Sequence, residues 1–426
     1  MTPQPNPTTY PTVPPRGWNS WDCYGTTVTE AEVLANAEYM AAHLLPTGWR
    51  YVVVDIQWYE PTARAHGYND NPPVLLDDHG RQLPAPNRFP SAADGAGFAP
   101  LASRVHQLGL LFGLHIMRGI PRRAVEHNLP VLGTEWTAAD VADQSSTCSW
   151  NPDNFGLNHD HPGAQAYYDS QVAQFAAWGV DFIKIDDMLS PYHDREIAAY
   201  AEAIRRSGRD ITLSLSPGGR LSIAHLDHLR SNAQMWRVSD DLWDRWSDVY
   251  DQFSRMARWA PLQTDGGWAD ADMLPLGRIG IRAERGDDRR SRLTPDEQRT
   301  MMTLWCIARS PLMFGGDLPS NDEATLSLIT NADVLAMASG RNGREILREG
   351  DLIIWTAESR EGDLRYVAVF WTGDEAGDVT VEASSLPAPA GCVARDLWSG
   401  ESVAVDGPVL SIRVPAHGVR LLQFPA

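Results

Sequence analysis

From about Gly17 to about Thr330, short apolar runs alternate with longer amphipathic stretches, and that alternation leaves few folds open. The apolar runs are Gly17–Trp21, Tyr51–Asp55, Leu111–Ile116, Asp181–Asp186, Ile211–Leu215, Met235–Val238, a less distinct one within Trp259–Gln263, and Pro311–Phe314. Their length and β-branched or aromatic content read as strands. Helical patterns fill the intervals: one opening at Thr29, a candidate N-cap, then Ala164–Trp178, Asp194–Arg206, Trp246–Trp259 and Thr294–Ile307. Pro295 suits the first turn of the last helix, where a missing N–H costs nothing. Eight β/α units in this order predict an α/β chain folded as a (β/α)8 TIM barrel. An open doubly wound sheet is the competing architecture. It would carry a Gly-rich dinucleotide turn after an early strand, and none is present.

Two connections are long, from Ile56 to about Gly95 and from Met117 to about Pro162. In a barrel such loops lie at the C-terminal face, where they build pocket walls. After about Gly340 the pattern changes to short strands, Leu352–Trp355, Tyr366–Phe370, Asp378–Val381 and Val419–Phe424, separated by Gly, Asp and Pro. This predicts a small antiparallel β-sandwich. The expected organisation is a flexible segment over 1–15, a catalytic barrel over 16–338 and a sandwich over 345–426.

A net charge of −19 disfavours nucleic acid and anionic membrane as partners. Several of the 16 Trp residues neighbour Asp, Gly or Asn, which suits sugars, with their apolar faces and polar edges. Cys23, Cys148, Cys306 and Cys392 are far apart, so no zinc ribbon or C-x-x-C redox site is expected. The Pro- and Thr-rich start lacks the apolar core of a signal peptide, which gives a cytoplasmic expectation with free thiols. No cofactor or metal is expected, and the oligomeric state is not written in the sequence.

Two acidic pairs carry the chemistry. Asp186-Asp187 closes the fourth predicted strand and Asp240-Asp241 follows the sixth, so both face the barrel mouth. A retaining glycosidase needs two carboxyl groups ~5–5.5 Å apart, one as nucleophile and one as general acid/base. Strands four and six can present such a pair. Lys184 and Arg237 lie beside them.

Gly17-Trp-Asn-Ser-Trp21, Lys184-Ile-Asp-Asp187, Arg237-Val-Ser-Asp-Asp241 and Asp270-Ala-Asp-Met-Leu274 together resemble glycoside hydrolase family 27, the family of α-galactosidases and α-N-acetylgalactosaminidases. The resemblance runs from Gly17 to about Leu335, and more loosely to the end. It implies a barrel followed by a β-sandwich, and a retaining exo-hydrolase of terminal α-galactosides or related pyranosides. It makes Asp186 the nucleophile and Asp241, rather than Asp240, the acid/base. It assigns Lys184 and Arg237 to sugar hydroxyls, Trp21, Asp55 and Asp272 to the sugar pocket, and Trp58 to its wall with Met273 beside it.

Four positions depart from the family pattern. Ile56 stands where a second carboxylate usually follows Asp55. His115 replaces a Tyr on the third strand and is either a substrate contact or a core histidine. Ser216 replaces a Glu that contacts the 2-hydroxyl, as in the N-acetylgalactosaminidase pattern, and Met188 replaces a Cys. The expected sugar is an α-galactoside or a close relative, with the simplest aryl α-galactoside a weak substrate. The alternatives are an α-N-acetylgalactosaminide, an isomalto-type α-glucoside and a β-L-arabinopyranoside. The loop carboxylates Asp70, Asp77 and Asp78 are candidates to replace the missing one. Two other readings are a metal site at Asn158-His-Asp-His161 and a carbohydrate-binding barrel without catalysis.

Overall fold

The computed structural model describes residues 12–69, 71–386, 392–405 and 408–425. The expected flexible segment over 1–15 therefore lies largely outside the described residues, as does Asp70.

Eight parallel strands form the central sheet: β1 Arg16–Asn19, β2 Tyr51–Val54, β3 Leu111–Met117, β4 Phe182–Asp186, β5 Thr212–Leu215, β6 Met235–Arg237, β7 Trp268–Asp270 and β8 Leu312–Phe314. They pair in chain order from β1 to β7, and β8 pairs with β1. The chain just beyond β7 closes the ring, with the Leu274 N–H donating to Met313 at 2.8 Å and a parallel bridge from Leu274 to Phe314. This is the predicted TIM barrel. Glycine is required at Gly17, because a Cβ there would lie 2.4 Å from the Tyr51 carbonyl oxygen on the adjacent strand.

The seventh strand corrects the sequence reading, which placed it within Trp259–Gln263. The helix Trp246–Trp259 runs through the start of that span, burying Val249, Phe253, Met256 and Trp259, and Ala260–Leu262 adds a 3-10 turn. The strand begins only at Trp268, after the turn at Thr264–Gly267.

Helices start where their caps specify. Thr29 and Glu32 form a reciprocal capping box before Glu30–His43, and Thr294 and Glu297 do the same before Pro295–Ile307. Alternation along the strands then divides the side chains. Val52, Val54, Leu114, Ile116, Ile183 and Ile185 pack outward under the helices. Tyr51, Val53, Met117, Phe182, Met235 and Met313 fill the barrel interior.

Beyond the barrel come β9 Arg341–Glu349, β10 Leu352–Glu358, β11 Leu364–Trp371, β12 Gly377–Glu382, β13 Val393–Asp396, β14 Ser402–Ala404, β15 Val409–Val414 and β16 Val419–Pro425. One antiparallel sheet has the order β9-β10-β11-β16-β13-β14, and β12 pairs with β15 in a second. Ile354, Val367, Val369, Val379, Val381, Leu410, Leu422 and Phe424 form the core between them. This sandwich packs on the barrel helices, with Phe253 against Phe370 and Trp246 stacked on His417. Among the described residues, no helix is long and apolar enough to cross a membrane.

Candidate active site

The C-terminal ends of the strands converge on a cluster of carboxylates and two enclosed cations, Lys184 and Arg237. Period-two alternation makes this geometry, since Lys184 and Asp186 share the inward face of β4 and the register sets Met117 beside Asp186.

Asp186 is held on both carboxylate oxygens. His115 Nε2 lies 2.7 Å from Oδ2, and the Ser216 hydroxyl donates to Oδ1. Burial opposes ionisation of Asp186, but Lys184, His115 and the Ser216 hydroxyl outweigh it and hold the group well below the usual carboxylate range. It is therefore a preorganised anion with only 15% of its side chain exposed. The next residue turns away. Asp187 adopts φ +61° and gives its carboxylate to Arg118 at 2.7 Å. The second acid of that pair is thus committed to an ion pair beneath the loop.

Asp241 follows β6, two strands round the barrel from Asp186, with 46% of its side chain exposed, and Arg237 contacts it at 3.1 Å. The same guanidinium holds Asp272 at 2.8 Å. Asp272 is strained at φ +88° and also accepts from the Leu242 N–H at 2.7 Å. Burial pushes the Asp272 carboxyl up, with Arg237 opposing and Asp241 and Asp270 reinforcing the rise. Asp240 faces out and accepts the Gly219 N–H at 3.2 Å.

Asp55 receives Lys184 Nζ at 3.0 Å, Asn19 Nδ2 at 2.7 Å and the Ile56 N–H at 2.8 Å. Burial works against its charge, yet Lys184 and His115 keep it below the ordinary carboxylate range. Lys184 is itself largely enclosed, with 13% of its side chain exposed, and Asp55, Asp186 and Asp241 hold it charged. Trp21, Ile56, Met117, Cys148 and Met273 form one apolar cluster at this end of the barrel, with Tyr68 packed against it. Tyr68 stacks on Trp21 at 5.9 Å and approaches Trp150 at 6.2 Å.

Trp58 does not belong to the pocket wall. It is wholly buried, donates to the His115 carbonyl at 2.7 Å, and packs among Phe98, Phe175 and Trp178 behind the sheet. The chain reverses at Gln57, where φ is +62°, and sends the indole outward. His115, left between a substrate contact and a core histidine, and Ser216, placed near the 2-hydroxyl, are also wholly buried, and both bond Asp186. Asp77 pairs with Arg81 within its own turn at 2.7 Å. His161 caps the helix Pro162–Trp178, and His159 lies 2.9 Å from Glu196. No group of His, Cys, Asp and Glu suited to a metal ion occurs among the described residues.

Sequence reasoning missed Asn19, Met117, Tyr68 and Cys148. Asn19 lay inside a quoted motif. Tyr68 and Cys148 sit in long loops without periodicity, where nothing in the sequence signals direction.

Comparison with known proteins bears on the whole chain. Residues 156–340 match the family model described as alpha galactosidase A, and residues 349–424 match the alpha galactosidase C-terminal beta sandwich domain. The chain is 50% identical to a GH27 β-L-arabinopyranosidase of Geobacillus stearothermophilus, with 97% of each chain covered and a TM-score of 0.94. It is 45% identical to a candidate α-N-acetylgalactosaminidase of Bacillus halodurans, again over 97% of each chain, with a TM-score of 0.87. An α-galactosidase of Coffea arabica is 28% identical over 96% of this chain and 92% of its own length.

Proposed function

The chain belongs to glycoside hydrolase family 27 and is a retaining glycosidase, and on that premise we propose that it releases terminal β-L-arabinopyranosyl groups, with Asp186 as nucleophile and Asp241 as acid/base. The observation that carries the sugar assignment is Ile56, 2% exposed within the apolar cluster, at the position where a second carboxylate would grip hydroxyls on the C4–C6 side. β-L-Arabinopyranose has the ring stereochemistry of α-D-galactopyranose without the C6 hydroxymethyl group. An aliphatic wall suits the pentose, whereas it leaves a hexose hydroxyl unpaired at ~1–3 kcal/mol. The 50% identity to a β-L-arabinopyranosidase supports the same reading.

In the proposed mechanism, Asp186 attacks the anomeric carbon while Asp241 protonates the departing oxygen. The two donors on Asp186 fix its orientation. The exposure of Asp241 leaves room for an aglycone on its side. Water, deprotonated by Asp241, then cleaves the glycosyl ester, and two inversions restore the starting configuration. Lys184, Asp55, Arg237 and Asp272 supply charged partners for ring hydroxyls, and Trp21 and Met273 an apolar surface. The Ser216 hydroxyl is spent on Asp186 and is not free to bond a 2-acetamido group, which disfavours an N-acetylgalactosaminide.

The test is a panel of aryl glycosides: β-L-arabinopyranoside, α-galactoside, α-N-acetylgalactosaminide and α-glucoside. A kcat/KM at least ~10-fold higher for the arabinopyranoside than for the α-galactoside is expected, since one small substituent is worth ~10- to 200-fold. Preference for the α-galactoside would overturn the sugar assignment.

A further inference from the structure

A second groove opens beside the site, between the loops that follow β4 and β5. Its volume is about 420 Å³, and Leu189, Tyr192, Arg220, Ser222 and His225 line it. That size suits a small ligand, for which sites span ~300–1,000 Å³. Both walls grow out of the active site. Leu189 follows Asp186 by three residues and Arg220 follows Ser216 by four. The Met188 N–H donates to the Ser216 carbonyl at 3.0 Å, tying the two loops together. The Gly219 N–H meets Asp240 at 3.2 Å, so the groove's wall also touches the loop that carries Asp241. The groove thus flanks the rim where a protonated leaving group would depart.

Its chemistry is specific. Tyr192 is clamped, stacked on His225 with centroids 3.7 Å apart and planes 9° from parallel, while its hydroxyl lies 2.7 Å from His228 Nδ1. An immobilised ring gives a sugar face a platform at little entropic cost. Arg220 is exposed, and its guanidinium has no hydrogen-bonding or ionic partner among the described residues. Other arginines near the site are engaged: Arg118 with Asp187, Arg237 with Asp241 and Asp272, and Arg289 with Asp244. In a chain of charge −19 an anionic ligand is repelled at long range, so an unpaired planar cation in this groove is the group able to receive one.

We propose that this groove is the leaving-group subsite and that it takes an acidic sugar, a pyranose bearing a carboxylate or sulfate, with Arg220 on the anion and Tyr192 beneath the ring. The inference rests on the assignment of Asp186 and Asp241 as the catalytic pair. It makes the enzyme selective for terminal sugars attached to acidic residues of a glycan.

The test uses the full chain and four disaccharides of one linkage, each carrying the glycosyl group that the aryl panel favours. The second sugar is glucuronate, its methyl ester, glucose or glucose 6-sulfate. The expected result is a kcat/KM about five- to tenfold higher for glucuronate than for its ester, or for glucose 6-sulfate than for glucose, falling as salt rises. Which acid gains identifies the anion recognised. Arg220→Gln should bring both ratios to about one, and Arg220→Lys should leave them intermediate. Ratios of one in the wild type, or ratios that survive in Arg220→Gln, overturn the subsite. If the aryl glycosides are hydrolysed and these ratios are flat, the glycosidase assignment stands and only the subsite falls. If no aryl glycoside or disaccharide is hydrolysed, both fall.

Discussion

Replacing Ile56 separates its two possible effects, filling space and withholding a carboxylate. Ile56 is 2% exposed and packed with Trp21, Met117 and Met273. Truncation to Ala costs ~2–5 kcal/mol of stability. It also opens room for a hydroxymethyl group without offering it a partner. Ile56→Asp gives similar room and adds a carboxylate beside Asp55, which Lys184 already partly neutralises at 3.0 Å. A hydrogen bond to a charged group is worth ~1.5–3 kcal/mol, which is about 10- to 150-fold in a rate ratio. The assay is kcat/KM for aryl α-galactoside divided by that for aryl β-L-arabinopyranoside, with thermal melts to set a temperature at which every variant is folded. The ratio should rise about 10- to 100-fold in Ile56→Asp and by less than tenfold in Ile56→Ala. Equal ratios in the two variants would mean that space alone decides. An unchanged ratio in folded Ile56→Asp would refute the role given to this position.

Asp186→Ala should lose at least ~10³-fold in kcat with little change in melting temperature, and azide should restore part of it; near-normal turnover would exclude Asp186 as nucleophile. In Asp241→Ala, glycosides with poor leaving groups should lose about 10²-fold more in glycosylation rate than activated aryl glycosides, because only the former need a proton; equal losses would remove the general-acid role. Asp22 is buried, with one carboxylate oxygen unpartnered, and burial followed by the charges of Asp272 and Asp241 pushes its carboxyl well up. The folded chain then keeps a proton that the unfolded chain releases above about pH 4, so this group makes wild-type stability fall as pH rises from there. The melting temperature of Asp22→Asn relative to wild type should therefore climb between pH 4 and 7, and parallel curves would show that Asp22 is ionised in the fold.

What the sequence made legible follows its periodicities. Strand alternation put Lys184 and Asp186 on one face, and the capping residues Thr29 and Thr294 marked helix starts that the structure reproduces. The seventh strand escaped because the apolar positions of the preceding helix run on to Trp259 and drew the expected strand there, ahead of Trp268–Asp270. Trp58 misled because an aromatic near Asp55 looks like a sugar platform. Direction there depends on one left-handed residue, Gln57, which carries no sequence signature. His115 was legible as a residue of the third strand, but its partner is set by the pairing of β3 with β4, a contact between residues 71 apart.

On the roles proposed above, catalysis and sugar choice fall to different parts of the barrel rim. Asp186 is fixed from β3 and from the residue after β5, and Arg237 on β6 ties Asp241 to Asp272 beyond β7. None of these contacts involves the side chain of Ile56, which presents its aliphatic surface from the end of β2. A carboxylate can therefore be exchanged for an aliphatic residue there without disturbing the ion pairs that hold the catalytic acids. The converse does not hold for Ser216. Its hydroxyl is bonded to Asp186, so a longer side chain reaching for the 2-hydroxyl would have to give up a donor on the nucleophile. With Asp186 as the proposed nucleophile, selectivity at the C4–C6 side would be free to vary, while selectivity at the 2-position would be coupled to the orientation of Asp186.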